Sequence, residues 1–253
     1  MTVRELYAKL NERIPPSLSC PWDNDGLMCC PDGDREARRV LVTLDVTSEA
    51  ARYAREHGFD VILSHHPLLF KGLKAVNGET YLGKKTVDLL LGGISVMSFH
   101  TRLDAVSGGV NDTLCALLGV ENAEPFGEEG IGRIGSLPLP MSAEDFARRV
   151  KETLNAPAVF LGDAGLPVSR VAVLGGSGGD DLGAACAAGA DTYLSGTLGY
   201  HDLTDAPEAG MNLLEAGHFF TEQPVVRVLA EWLRQIDASL TVEEFYSNTT
   251  KTI

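Results

Sequence analysis

Short apolar runs alternate with longer segments of helical spacing along most of this chain, and that alternation restricts the fold more than anything else in it. Helical spacing covers residues 3–14 and stops before Pro15-Pro16. Arg39–Leu44 is an apolar run. A helix then opens at Ser48, read as its N-cap with Glu49 in the first turn, and ends near Gly58, with His57 against its C-terminal dipole. Val61–Leu63 is the next buried run, Thr80–Leu91 is helical, Ser95–Ser98 is a strand and Gly109–Leu118 a helix. Strand and helix in strict turn predict an α/β protein, because each amphipathic helix must cover a sheet face.

The stretch Glu121–Gly135, rich in Gly and Glu, reads as a boundary, after which the alternation restarts. Ser142–Leu154, Gly179–Ala188 and Gln223–Ile236 carry helical spacing. Ala158–Phe160, Val171–Leu174, Thr192–Leu194 and Asn212–Glu215 read as short strands, and Ser239–Tyr246 alternates like a closing strand. Two α/β units are expected: residues 1–127 with 217–253, and residues 128–216.

A chain of 253 residues can bury a sizeable core, and its 44% apolar and 22% charged residues are those of a globular protein. The net charge of −14 argues against a nucleic-acid backbone as partner, since no basic stripe is present to displace counterions. Lys84-Lys85 and Arg148-Arg149-Lys151 read as solvated helix faces. No run approaches the roughly 18 apolar residues of a membrane span, and no apolar signal region follows Met1. The five cysteines, Cys20, Cys29, Cys30, Cys115 and Cys186, lack metal-ligand spacing and read as small, partly buried side chains of a cytoplasmic protein.

The chemistry sits in three segments: Ser64-His65-His66-Pro67, His100-Thr101-Arg102-Leu103-Asp104 and Gly217-His218-Phe219-Phe220-Thr221-Glu222. Neutral imidazole and carboxylate are the donors that borderline divalent ions accept. His65 and His66 stand at the C-terminal end of the Val61–Leu63 run, where α/β sheets form their ligand sites. Side chains alternate along a strand, so adjacent histidines diverge, toward two neighbouring ions rather than one. His218 and Glu222 are i and i+4, one face of a helix. Asp104 follows the strand Ser95–Ser98 by a short loop. Three imidazoles and two carboxylates (His65, His66, Asp104, His218 and Glu222) exceed what one tetrahedral ion needs, so two ions are expected. His100 and His201 are either further ligands or pocket residues that hold substrate or move a proton.

Two other segments look like phosphate sites and are set aside. Gly78–Thr86 nearly matches a P-loop, but Lys85 occupies the place of the Mg²⁺-binding hydroxyl and no buried strand precedes it. Gly175-Gly176-Ser177-Gly178-Gly179-Asp180-Asp181 has the wrong glycine spacing and two anions, and reads as a tight strand-to-helix turn.

Taken together and in this order, the three histidine segments resemble those of the Nif-three-like dinuclear-metal-centre proteins, often filed under the label GTP cyclohydrolase I type 2. The similarity extends from Trp22-Asp23-Asn24 to near the C-terminus and includes Ser195–Asp202. The resemblance implies two interlinked α/β domains with mixed sheets flanked by helices, a toroidal homohexamer, and two metal ions facing an internal cavity. It places His65, His66, Asp104, His218 and Glu222 as ligands with Glu222 bridging, and His100 and His201 as pocket histidines. The chain departs from the pattern at Asp25 and Met28-Cys29-Cys30, and at Arg102, where a smaller polar residue is common. Arg102 is therefore expected to bring a positive charge near the pocket, suited to a phosphorylated substrate. The activity implied is metal-dependent hydrolysis of a nucleotide or a phosphoester; the rival is a metal-handling or regulatory hexamer without catalysis. Zn, Mn, Fe, Ni and Co all suit such a donor set.

Overall fold

The computed structural model of the chain describes residues 1–251 and 253. It opens with α1 (Val3–Arg13), where Thr2 accepts from the Glu5 N–H and the Glu5 carboxylate accepts from the Thr2 N–H, a reciprocal cap on two otherwise unsatisfied donors. There follow β1 (Gly26–Cys29), β2 (Arg39–Thr43), α2 (Ser48–Glu56), β3 (Val61–Ser64), α3 (Tyr81–Leu91), β4 (Ser95–Ser98) and the short α4 (Thr101–Ala105). Next come α5 (Val110–Leu118), β5 (Glu121–Phe126), β6 (Gly132–Met141), α6 (Ala143–Thr153), β7 (Phe160–Gly162) and β8 (Val168–Ser177). The chain continues through α7 (Leu182–Ala187), β9 (Thr192–Thr197), α8 (Tyr200–Glu208), β10 (Asn212–Glu215), α9 (His218–Glu222), α10 (Pro224–Ile236) and β11 (Thr241–Phe245). This is the expected α/β class, with two mixed sheets flanked by helices.

The elements form two compact units. One comprises Met1–Leu103 with Val226–Lys251; the other includes Asp104–Val225, which reaches beyond the 128–216 segment at both ends and includes α9. The chain leaves the first unit within α4 and returns to it within α10.

In the first unit the strand order is β1-β4-β3-β2-β11, all parallel except the edge strand β1. Val40–Val42 and Val61–Leu63 are fully buried. Strands covered on both faces need apolar side chains at every position, which is why these runs show no alternation. The register matters most for the site. Thr43 pairs with Ser64, and Ser64 with Ser98, so β2, β3 and β4 end level. Leu44-Asp45, His65-His66 and Phe99-His100 therefore leave the sheet side by side.

In the second unit the order is β5-β6-β8-β9-β10-β7, with β8, β9 and β10 parallel and the other pairs antiparallel. Phe146 and Val150 of α6 pack with Leu114, Val171, Val173 and Leu194 into its core. The Glu121–Gly135 stretch is not a linker. It forms β5, a turn, and the start of β6, paired antiparallel. Every β5 residue except Phe126 faces water, so this edge strand lacks the apolar pattern that marks a strand in sequence. α8 escaped for a similar reason: only Ala206 is buried, and Pro207 lies in its last turn.

Cys20, Cys29 and Cys115 are buried, Cys30 is half-buried and Cys186 exposed, all as free thiols. Burial, helped by the charge of Asp112, pushes the Cys115 thiol up to about 12, so it is inert packing rather than a nucleophile. His57 caps the C-terminus of α2 as expected, but the N-cap is Thr47, whose hydroxyl accepts the Ala50 N–H at 3.0 Å; Ser48 is the first helical residue. Thr47→Ala is expected to cost about 1 kcal/mol, and Ser48→Ala less than about 0.5 kcal/mol; paired denaturation midpoints would show which residue closes the helix.

Candidate metal centre

Each histidine of the first unit is locked by an oxygen behind it. His65, 0% exposed, follows β3 directly, and its Nδ1 lies 2.9 Å from the Phe99 carbonyl oxygen. A carbonyl only accepts, so Nδ1 carries the proton and Nε2 keeps its lone pair. His66 Nδ1 is 2.7 Å from Asp45 Oδ1, and Asp45 follows β2 in the adjacent register position. Ser247 holds Asp45 in turn, accepting its N–H at 3.1 Å and donating to Oδ2 at 3.3 Å. His100 Nδ1 is 2.8 Å from Asp23 Oδ1. The ring centroids of His65, His66 and His100 lie 4.9, 5.4 and 5.8 Å apart, and one ligand nitrogen from each lies within 4.8 Å of the others. His100 thus joins the strand-end pair instead of standing apart from it.

The Asp23 carboxylate is the densest acceptor in this unit. Besides His100 it takes the Thr101 N–H at 3.0 Å, the Thr101 hydroxyl at 2.6 Å and the Asn24 N–H at 2.8 Å. Burial opposes its ionisation, but the bonds and charge from His100 and the bonds from Thr101 outweigh burial and hold it well below the usual carboxylate range.

Arg102 corrects an expectation. It is 1% exposed and brings no charge to a pocket. Its Nε donates to Asp25 Oδ2 at 2.9 Å, its Nη1 to Asn11 Oδ1 at 2.8 Å and to the Ile14 carbonyl at 3.2 Å, and its guanidinium lies 4.3 Å from the Phe99 ring centre. Asp25 neutralises it, and the same Oδ2 accepts the His100 N–H at 3.1 Å. Arg102 and Asp25 thus form one buried ion pair that anchors the backbone of His100.

In the second unit Gly217, at φ 87°, turns the chain into α9, where His218 Nε2 lies 3.0 Å from Glu222 Oε2. Glu222 is 4% exposed and His218 half-exposed. The expected i, i+4 pair is formed, and glycines make room for it. A Cβ on Gly176, itself at φ +75°, would sit 2.2 Å from Glu222 Oε1; one on Gly196 would sit 2.7 Å from the His218 Cα. The Gly176 N–H also donates to the Thr221 hydroxyl at 3.1 Å. Glycines near the ends of β8 and β9 thus serve close approach of α9. Asp104 is buried on α4. His201 is exposed on the first turn of α8 and belongs to none of the groups able to hold a metal among the described residues.

Imidazoles with Nδ1 fixed by carbonyl or carboxylate oxygens, together with buried carboxylates, are the donors and outer partners of a divalent-metal site, and the residues fit such an ion. Asp45 and Asp23, the carboxylates behind the histidines, were not singled out in sequence. The signal for Asp45 was there, since it ends the Arg39–Leu44 run as His65-His66 end theirs; Asp23 is distant in sequence and only folding reveals it.

Level strand ends bearing His65, His66 and His100 make the first unit of this α/β protein a candidate metal centre, and the second unit carries its own His–Glu helix pair. The family model described as Duf34/NIF3 (NGG1p interacting factor 3) matches residues 1–252, and the chain belongs to that family. A Clostridium perfringens relative named GTP cyclohydrolase 1 type 2 homolog is 34% identical over 244 residues, 93% of this chain and 92% of its own. A Staphylococcus aureus protein of solved structure, titled hypothetical, has a TM-score of 0.90 at 27% identity, covering 100% of this chain and 99% of its own. A Bacillus cereus protein related to NIF3 shares the fold at TM-score 0.89 and 23% identity, over 100% and 99%. No described helix is long and apolar enough to cross a membrane.

Removing one partner of the Asp25–Arg102 pair strands a buried charge. Arg102→Met is expected to destabilise the protein by about 3–5 kcal/mol. Adding Asp25→Asn should recover part of the loss, and a double-mutant cycle in urea measures the coupling.

Proposed function

We propose that this chain is a metal-dependent hydrolase in which His65, His66, Asp104, His218 and Glu222 would hold two divalent ions, with Glu222 the ligand shared by both. Carrying this reading is the uniform locking of His65, His66 and His100, each with Nδ1 against an oxygen that leaves Nε2 as the ligand or proton-carrying atom. Metal-ligating histidines nearly always have such a partner, and these three also bring one ligand nitrogen each to within 4.8 Å of the others. The donor set suits Zn, Mn, Fe, Ni or Co.

When bound, such ions supply the Lewis acidity that makes water a nucleophile near neutral pH and neutralises charge on substrate oxygens. The protein's own part is orientation and proton movement. Asp45 and the Phe99 carbonyl hold His66 and His65 in one tautomer. Asp23 steers His100 so that Nε2 can give a proton to a leaving group or take one from it, worth about 10²–10⁴-fold. His201 is a second proton carrier in this reading, and the substrate is a nucleotide or a phosphoester, in keeping with the name borne by the Clostridium perfringens relative. The assembly is a homohexamer, as the family resemblance implies.

Protein purified without chelator should carry two ions per chain by elemental analysis and turn over a member of a nucleotide and phosphoester panel, with chelation abolishing turnover. Two ions without turnover would favour metal handling; fewer than two, not restored by added metal, would overturn the proposal. Glu222→Ala should lose both ions. Gly176→Ala, whose Cβ would displace the Glu222 carboxylate, should lose them too, while Gly183→Ala, which meets nothing, should not. Asp45→Asn should weaken binding about 10- to 100-fold.

A further inference from the structure

Two exposed aromatic side chains stand at the histidine cluster, and the chemistry so far gives them no task. Trp22 is 57% exposed and Phe70 44%, although both are large apolar rings. Their centroids are 6.4 Å apart, edge to face. Each also meets the His100 ring edge to face, Trp22 at 6.4 Å and Phe70 at 5.9 Å. The three rings form one aromatic corner, and His66 closes it at 5.8 Å from His100.

The corner is held from behind by the residues that build the site. Trp22 is followed by Asp23, which fixes His100 Nδ1, and by Asn24, whose amide donates to the Leu69 carbonyl next to Phe70. One tripeptide thus positions the indole, the imidazole and the segment bearing the phenyl ring. Rings held at their backbones while about half of their surface stays exposed are arranged to receive a flat partner. Cost and benefit agree with this: exposing two large rings forgoes part of their burial, and stacking with a further π-face recovers energy.

We propose that Trp22 and Phe70 form a recognition wall for a planar heteroaromatic ring, a nucleobase being the fitting class, placed beside His100. This deepens the hydrolase reading and rests on it for the reaction, though binding of the ring does not require turnover. Trp22 and Phe70 are specificity residues; neither offers a ligand atom to a metal.

The chain supplies its own reporter. It has two tryptophans, and the other, Trp232, is 6% exposed beneath the Arg13 guanidinium, 4.2 Å from its ring centre. Indole emission that responds to added ligand is therefore the emission of Trp22. The purified, metal-replete protein is titrated with guanosine 5′-monophosphate and, separately, with ribose 5-phosphate, which differs only in lacking the base. Saturable quenching by the nucleotide and none by the sugar phosphate is expected. Base–aromatic stacking is worth about 1–3 kcal/mol per base, so Trp22→Ala should weaken nucleotide binding by calorimetry about 5- to 150-fold. Phe70→Ala should reduce both the quench and the affinity, and Trp22→Phe should keep most of the affinity while losing the signal.

Equal affinity for nucleotide and sugar phosphate would overturn the wall, as would a folded Trp22→Ala protein that binds the nucleotide like the parent. Metal content is measured on every variant. Full metal with no base preference defeats the wall and leaves the metal reading standing, whereas base-dependent quenching in a protein that takes up no metal defeats the metal reading and leaves the wall.

Discussion

Level ends of three parallel strands are the constraint on which the candidate centre depends. Backbone hydrogen bonds set Thr43, Ser64 and Ser98 across from one another, and nothing after them can be far apart. His65, His66, His100 and Asp45 are all within two residues of a strand end, and the Phe99 carbonyl that holds His65 belongs to the neighbouring strand's exit. A one-residue slip in either pairing would swap the faces to which these side chains point.

A second layer of anionic or carbonyl oxygens stands behind the imidazoles, brought there by folding from 21 to 77 positions away. Asp45 and Asp23 are carboxylates whose negative charge raises the basicity of the ring they hold. The expense of keeping Asp23 buried is offset by its four hydrogen bonds. Arg102, which looked from its position like a charge for substrate, is instead turned back into the protein by Asp25, Asn11 and the Ile14 carbonyl. A charged side chain beside a candidate site says little until its partners are known.

Much of this was legible in sequence because it is written in local patterns. The central strands are continuous apolar runs, the histidines interrupt them abruptly, and the His218–Glu222 spacing is a helical turn. What could not be read has physical reasons. β5 is an exposed edge with polar residues on both faces, and α8 buries a single alanine, so neither carries a periodic apolar signal. The pairing of Asp23 with His100 and of Asp25 with Arg102 spans 77 positions, a distance over which spacing rules carry no information. The helix start at Ser48 was legible, but its cap, Thr47, lies one residue earlier than expected because Thr and Ser stand close together there, and only the backbone conformation separates a cap from a first turn.

The parallel pairing of β11 with β2 has a consequence for how the protein comes into being. The second unit is built from the continuous stretch Asp104–Val225, so all its strands have been made before the first unit's last strand exists. The first unit, begun earliest, is completed last: β2 waits as an uncovered edge through the synthesis of nearly two hundred residues, about 10–40 s at ribosomal rates of 5–20 residues per second. Open edges of apolar strands invite foreign pairing. On the ribosome the first unit therefore leaves an apolar strand edge open long after the strands of the second unit have all been made.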